Sequence, residues 1–188
     1  IRMSHFCRLI GEAAGLGEKS VEILYNASPM HDVGKIGIPD HILLKQGALS
    51  PDEWEVMKCH PQMGADIIGQ HTDELLQTAW MIALCHHEKW DGSGYPHGLK
   101  GEAIPLLARI AALADVFDAL TTERPYKQAW TVDAAVSHIE ASAGSHFDPA
   151  LIEPFKRALP QMLRIREQFA DSHGALEDVD GVALPASA

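Results

Sequence analysis

An all-α fold is the expectation from three features of the sequence. Apolar residues recur at three- and four-residue spacing in nearly every segment, and no run alternates like a half-buried strand. Capping and breaking signals fall between the periodic stretches. The first helix spans Ile1 to about Ala14, with Phe6, Leu9, Ile10 and Ala13 on one face, and breaks at Gly15 and Gly17. A second carries Val21, Ile23, Leu24 and Ala27 towards His31-Asp32, with Gly34 and Gly37 closing it. Ser50-Pro51-Asp52-Glu53 reads as a capping box with proline at the first helical position. It launches a helix through Trp54 and Met57 that carries His60 near its end. Thr72 is expected to cap an apolar helix ending at His86-His87, followed by the turn-rich run Trp90-Asp91-Gly92-Ser93-Gly94-Tyr95-Pro96. Leu106 to Leu120 reads as a helix bearing Asp115 and Asp118. Thr131 caps another, and Ala150 to about Phe169 contains the last, with Pro154 near its start. Residues 171–188 are acidic and alanine-rich and are expected to form a flexible tail.

The 188 residues, 46% hydrophobic and 22% charged, suit one domain with a real core. Aromatics are only 6%, so aliphatic and alanine packing must fill it. The net charge of −11 speaks against a nucleic acid polymer as partner, because such binders neutralise phosphates with Lys and Arg. A small anion stays open, since bound cations reverse the sign of a local site. Three cysteines without a CxxC pair disfavour a disulfide framework or a Cys-rich zinc module. No apolar stretch spans a bilayer and no signal peptide opens the chain, so a cytoplasmic setting is expected. Helical periodicity is already under way at Ile1, so the sequence reads as part of a longer protein with an N-terminal partner domain.

The chemistry lies in the eleven histidines. His31-Asp32 ahead of Val33-Gly34-Lys35 can aim an imidazole and a carboxylate at one cation, although such a pair alone is often merely solvated or capping. His86 and His87 are consecutive, and consecutive helical residues point about 100° apart. Both reach one cluster only at a helix terminus, which the glycine-rich run after them suggests. Together, His5, His31, Asp32, His60, His86, His87 and Asp115 sit on helices or their ends, most on or beside apolar stripes. An unpaired buried polar group costs roughly 2–7 kcal/mol. Five imidazoles and two carboxylates facing inward are most simply explained by metal. The absence of thiolate points to Fe, Mn, Ni or Zn in a catalytic centre. Cys59 and Cys85, each one residue before a candidate ligand, are expected to pack in helix interfaces.

These blocks resemble the HD-GYP family: His31-Asp32-Val33-Gly34-Lys35, His60-Pro61, and His86-His87-Glu88 leading into Asp91-Gly92-Ser93-Gly94-Tyr95-Pro96. Asp115 and the later Arg124-Pro125-Tyr126-Lys127 match as well, and the resemblance covers about residues 1–170. It implies an HD-domain helical bundle with the metal site in its core. It further implies hydrolysis of cyclic di-GMP to pGpG or GMP in bacterial signalling, commonly behind a receiver or sensor domain, as in two-component response regulators. Carried onto this chain, it places His5, His31, Asp32 and Asp115 around one metal and His60, His86 and His87 around a second, with Asp32 bridging. His5 is identified through His5-Phe6-Cys7-Arg8, similar to the family's HxxR helix. Ile1 stands where some members carry a third-metal glutamate, so a binuclear centre is expected.

Two divalent ions about 3.5–4 Å apart can hold a bridging hydroxide and polarise phosphoryl oxygens. Asp32 and Lys35 are then the catalytic pair, with Lys35 stabilising the phosphate or protonating the leaving ribose oxygen. By resemblance Gly94, Tyr95 and Pro96 line the substrate entrance, a loop also linked to docking diguanylate cyclase domains. Arg124 and Lys127 meet the second phosphate or a guanine, and Asp118 hydrogen-bonds a ligand histidine from behind. The rival readings are a catalytically weak, nucleotide-sensing domain, one preferring pGpG, or a phosphohydrolase for another nucleotide. Retention of all the candidate ligands argues against the first, and the DGSGYP and RPYK segments argue against the last.

Overall fold

A computed structural model describes residues 1–123 and 128–169. Its helices are α1 (Arg2–Ala13), α2 (Glu18–Ala27), α3 (Asp40–Leu43), α4 (Pro51–Met57), α5 (His60–Ile68), α6 (Glu74–Cys85), α7 (Leu106–Thr121), α8 (Val132–Ala141) and α9 (Pro149–Gln168). Among the described residues there is no strand, only an isolated bridge between Ala143 and Phe147. No helix among them is long and apolar enough to cross a membrane.

α7 is apolar on nearly every side and forms the centre of the bundle, as a helix with no solvent face must. Its Ile110, Leu113, Phe117 and Leu120 pack with Phe6 and Ile10 of α1, Leu24 of α2 and Phe155 of α9, all fully buried. Ala108, Ala111 and Ala114 keep its surface low. α1 packs against α2, α7 and α9, and α6 against α2, α5 and α7.

Prolines explain where the helices stop short of expectation. The second helix ends at Ala27 instead of reaching His31-Asp32. Pro29 has no N–H and its ring crowds the carbonyl four residues back, so a 3-10 turn (Ser28–Met30) follows. His31-Asp32 therefore sits between that turn and a second one, Val33–Gly37. The same effect at Pro61 splits the expected helix from Ser50: α4 ends at Met57, and His60 begins α5 instead of finishing its predecessor. The capping box itself forms, with Ser50 Oγ accepting from Glu53 N and Glu53 accepting from Ser50 N. α6 is capped by Asp73, one residue after Thr72, through its carboxylate and Leu76 N. Thr131 caps α8 as expected, and Asp148 caps α9. The four-residue α3 is too short to leave a periodic signal. Cys85 is buried, but Cys59 is exposed rather than packed in an interface, because the break before Pro61 turns it outward. The expected tail, 171–188, and Arg124 and Lys127 lie outside the described residues.

Candidate metal centre

Three helix ends converge on one carboxylate. Asp32, His60, His86 and His87 each offer a ligand atom, and these atoms lie within 4.8 Å of one another. Asp32 comes from between the two 3-10 turns, His60 from the start of α5, and His86-His87 from the end of α6. The terminus suggested by the sequence at His86 is real: His86 is the C-cap, so the chain turns and both rings face inward.

The turn Val33–Gly37 reaches this place only because residue 34 has no side chain. A Cβ on Gly34 would lie 1.9 Å from His60 O and 2.4 Å from Gly64 N. The two backbones touch there, which brings Asp32 beside His60.

Each of three rings is aimed from its own helix end. His31 Nδ1 lies 2.8 Å from Ser28 O. His60 Nδ1 lies 2.9 Å from Met57 O, the carbonyl that Pro61 cannot reach for want of an N–H. His86 Nδ1 lies 3.0 Å from both Ile82 O and Ala83 O. A carbonyl only accepts, so Nδ1 carries the proton in each ring, and in the neutral imidazole Nε2 presents its lone pair to the site.

Those lone pairs meet the two oxygens of Asp32 from different directions. Oδ1 faces His60 Nε2 at 3.3 Å and His86 Nε2 at 3.7 Å. Oδ2 faces His31 Nε2 at 3.1 Å and Lys35 Nζ at 3.0 Å. His31 Nε2 also lies 3.6 Å from Asp115 Oδ1. His60 Nε2 is 3.4 Å from His86 Nε2 and 3.0 Å from His87 Nε2. Among the described residues, His31 Nε2 and Asp32 Oδ1 are buried without a well-formed hydrogen bond. Acceptor facing acceptor in a buried pocket is a deficit that a cation removes, and imidazole with carboxylate suits a divalent metal. The donor set fits the group that the sequence implied.

The two carboxylates beside His31 favour its protonated form, which donates from Nε2 to Asp32 until a cation displaces that proton. Burial opposes the charged form of His31, but the charge and hydrogen bond of Asp32, with Asp115 behind, outweigh it and raise His31 to about 9. Burial likewise opposes ionisation of Asp32, yet His31, His60 and His86 hold it well below the usual carboxylate range. Burial and the neighbouring His87 push His86 well below an ordinary imidazole.

The other expected residues differ in how they stand to the cluster. Lys35 is buried and tied to Asp32. Tyr95 stacks on the His87 ring at 4.8 Å and meets Trp54 edge-on, so the Gly94-Tyr95-Pro96 loop borders the cluster. Gly94 presses on the preceding strand of chain, where a Cβ would lie 2.3 Å from Lys89 N and 2.5 Å from His87 O. His5 stands apart from the tight group, with Nε2 3.4 Å from the Tyr25 hydroxyl and its ring stacked on Phe169. The Asp118 carboxylate is gripped by Arg2, which also bonds Thr122. Sequence reasoning missed Arg2 here, because an arginine in the first turn of a helix gives no local sign of a partner 116 residues away.

The HD domain family model matches residues 1–151. The cyclic di-GMP phosphodiesterase response regulator RpfG of Xanthomonas campestris pv. campestris is 51% identical over 169 residues, which is 90% of this chain and 45% of that protein. The 3'3'-cGAMP-specific phosphodiesterase 2 of Vibrio cholerae is 43% identical over 90% of this chain and 33% of its own length. The chain thus spans less than half the length of either relative. An HDGYP protein from Bdellovibrio bacteriovorus shares the fold, with a TM-score of 0.68 at 21% identity over 85% of this chain and 51% of that one. With the HDVGK, HHE and GYP segments all meeting at the cluster, the chain belongs to the HD domain family, in its HD-GYP branch.

Proposed function

We propose that the chain is the catalytic part, residues 1–170, of a cyclic di-GMP phosphodiesterase that yields pGpG or GMP in bacterial signalling. The observation that carries this reading is the split carboxylate: Asp32 turns Oδ1 to His60 and His86 and Oδ2 to His31. That arrangement suits two divalent ions drawn from Fe, Mn, Ni and Zn. His60, His86, His87 and Asp32 would hold one. His31, Asp32 and Asp115, joined by His5 once it leaves Tyr25, would hold the other. When bound, the ions supply Lewis acidity for the phosphoryl group and an activated water-derived nucleophile.

The protein's own part is orientation. The three backbone-bound rings keep their lone pairs on the site, and Lys35 keeps a cationic donor beside Asp32 where a phosphate oxygen or the departing ribose oxygen would lie. Tyr95 stacks on the His87 ring at the edge of the cluster. Arg124 and Lys127 would anchor the second phosphate or a guanine. A receiver or sensor domain upstream, and contact of the Gly-Tyr-Pro loop with diguanylate cyclase domains, belong to the same reading, as does a cytoplasmic location.

Incubating metal-free protein with each ion in turn and with cyclic di-GMP, then resolving products by liquid chromatography, tests it. The expected result is metal-dependent pGpG or GMP. The cGAMP-specific relative supports a second reading with 3'3'-cGAMP as substrate. Preferential hydrolysis of that nucleotide in the same assay would replace the first reading, and binding without turnover would mark a sensing domain.

A further inference from the structure

We infer that Glu88 is a positioning residue: its buried carboxylate ties the far end of the Gly-Tyr-Pro loop to the histidine pair and so keeps Tyr95 on His87. Glu88 follows His86-His87 directly and is 2% exposed. One carboxylate oxygen accepts from His97 N at 2.8 Å and the other from Leu99 N at 2.9 Å. The loop leaves Glu88, passes Gly94 against the backbone of residues 87–89, and returns to Glu88. Between those two closures Tyr95 N donates to His87 O at 3.2 Å, and the Tyr95 ring lies nearly parallel to His87, at 18°. Opposite Trp90, the chain is pinned separately: Trp90 N donates to His146 O and Asp91 N to Ser145 O. On the returning side the first backbone bond comes only at Gly101, whose N donates to Trp90 O at 2.9 Å. The two amides of the 97–99 end donate to the Glu88 carboxylate.

A buried carboxylate that spends both oxygens on loop amides supports the metal ligand beside it through the loop. Partners of this outer kind typically change metal affinity or activity by about 10–100-fold when lost. The inference rests on the metal-centre reading above but not on the identity of the substrate.

Glu88→Gln is the test. Glutamine keeps one acceptor but turns an NH2 donor onto the other backbone N–H. Co2+ is titrated into the metal-free protein and followed by visible absorption, without nucleotide, while hydrogen exchange is read at His97 and Leu99. The expected result is faster exchange at both amides and Co2+ binding weakened about 10–100-fold. In a Tyr95→Leu background the same change should add less than a twofold loss, because its route through Tyr95 is already gone. Glu88→Asp, which keeps two anionic acceptors on a shorter arm, should recover part of the affinity, and it carries the test if the glutamine variant does not fold. Co2+ affinity within twofold of wild type in folded Glu88→Gln overturns the inference, as does an equal loss with and without Tyr95. Failure to hydrolyse cyclic di-GMP would sink the substrate assignment while leaving this measurement intact.

Discussion

Gly34→Ala separates the geometry of the site from its chemistry, because it alters no donor and no charge. The new Cβ would sit 1.9 Å from His60 O, 2.4 Å from Gly64 N and 2.9 Å from Gly64 Cα. All three are backbone atoms, so no side chain can swing away. Reaching even 3.0 Å from an approach of 1.9 Å parts the turn and the start of α5 by about 1.1 Å. Overpacking of this kind costs about 1–3 kcal/mol. At about 2–4 °C per kcal/mol for a chain of this size, Tm falls by roughly 2–12 °C. The displacement also divides Asp32 from His60, now 3.3 Å apart, and metal sites tolerate errors of only about 0.2 Å in ligand distance. Divalent metal affinity should therefore drop together with Tm. Gly37→Ala in the same turn is the control: its Cβ would meet Met63 Sδ at 2.8 Å, the mobile end of a thioether. It should cost under about 1 kcal/mol and leave metal binding intact. Thermal melts with and without Mn2+, with metal titrations of both variants, make the comparison. A Gly34→Ala protein as stable and as tight for metal as Gly37→Ala would refute the close-contact reasoning.

Asp32→Asn should abolish hydrolysis and lower the number of bound ions, because an amide is a poor bridge between cations; elemental analysis with turnover measurements checks this, and near-normal turnover with full metal would contradict it. Arg124→Ala or Lys127→Ala should raise KM severalfold with little change in kcat, as expected for electrostatic anchors; an unchanged KM with a large drop in kcat would remove that role. Glu53, bonded to Lys45 and to Ser50 N, has its pKa depressed to about 2. A depressed carboxylate stabilises the fold above its ordinary value near 4.5 and loses that contribution as pH falls towards 2. Glu53→Gln should therefore be less stable than wild type at pH 6, with the difference closing as pH falls towards 2 in denaturant melts; a difference independent of pH would point to lost packing instead.

Much of this site could be read directly from residue order. Asp32, His60, His86 and His87 were recognisable because each sits beside a helix-ending signal, and helix ends are where consecutive or isolated polar residues can turn inward. The exact ends were less legible. Periodicity continues through Pro29 and Pro61, so an apolar pattern alone carries the helix past the proline that stops it. Asp118 illustrates a different limit: nothing near it in sequence points to Arg2, which meets its carboxylate through the packing of α1 on α7. Glu88 was visible inside the HHE segment, yet its role depends on where the chain returns at residues 97 and 99, a distance that no local spacing encodes.

The bonds from Nδ1 to the carbonyls of Ser28, Met57 and Ala83 all run three residues back along the chain. Each of these three rings thus carries its own sighting device, built from a carbonyl at a helix end. Aim is a local property here, and separation is a global one. A remote substitution that loosens the bundle should move these rings as rigid units while leaving each lone pair on its bearing. Damage from afar would then appear as weaker capture of the ion, with the ligand field around any captured ion unchanged. Loss of a carbonyl contact beside a histidine would do the reverse, distorting the field before the affinity falls. The two kinds of failure have different spectra, so a Co2+-loaded variant would tell which of them a given mutation has caused.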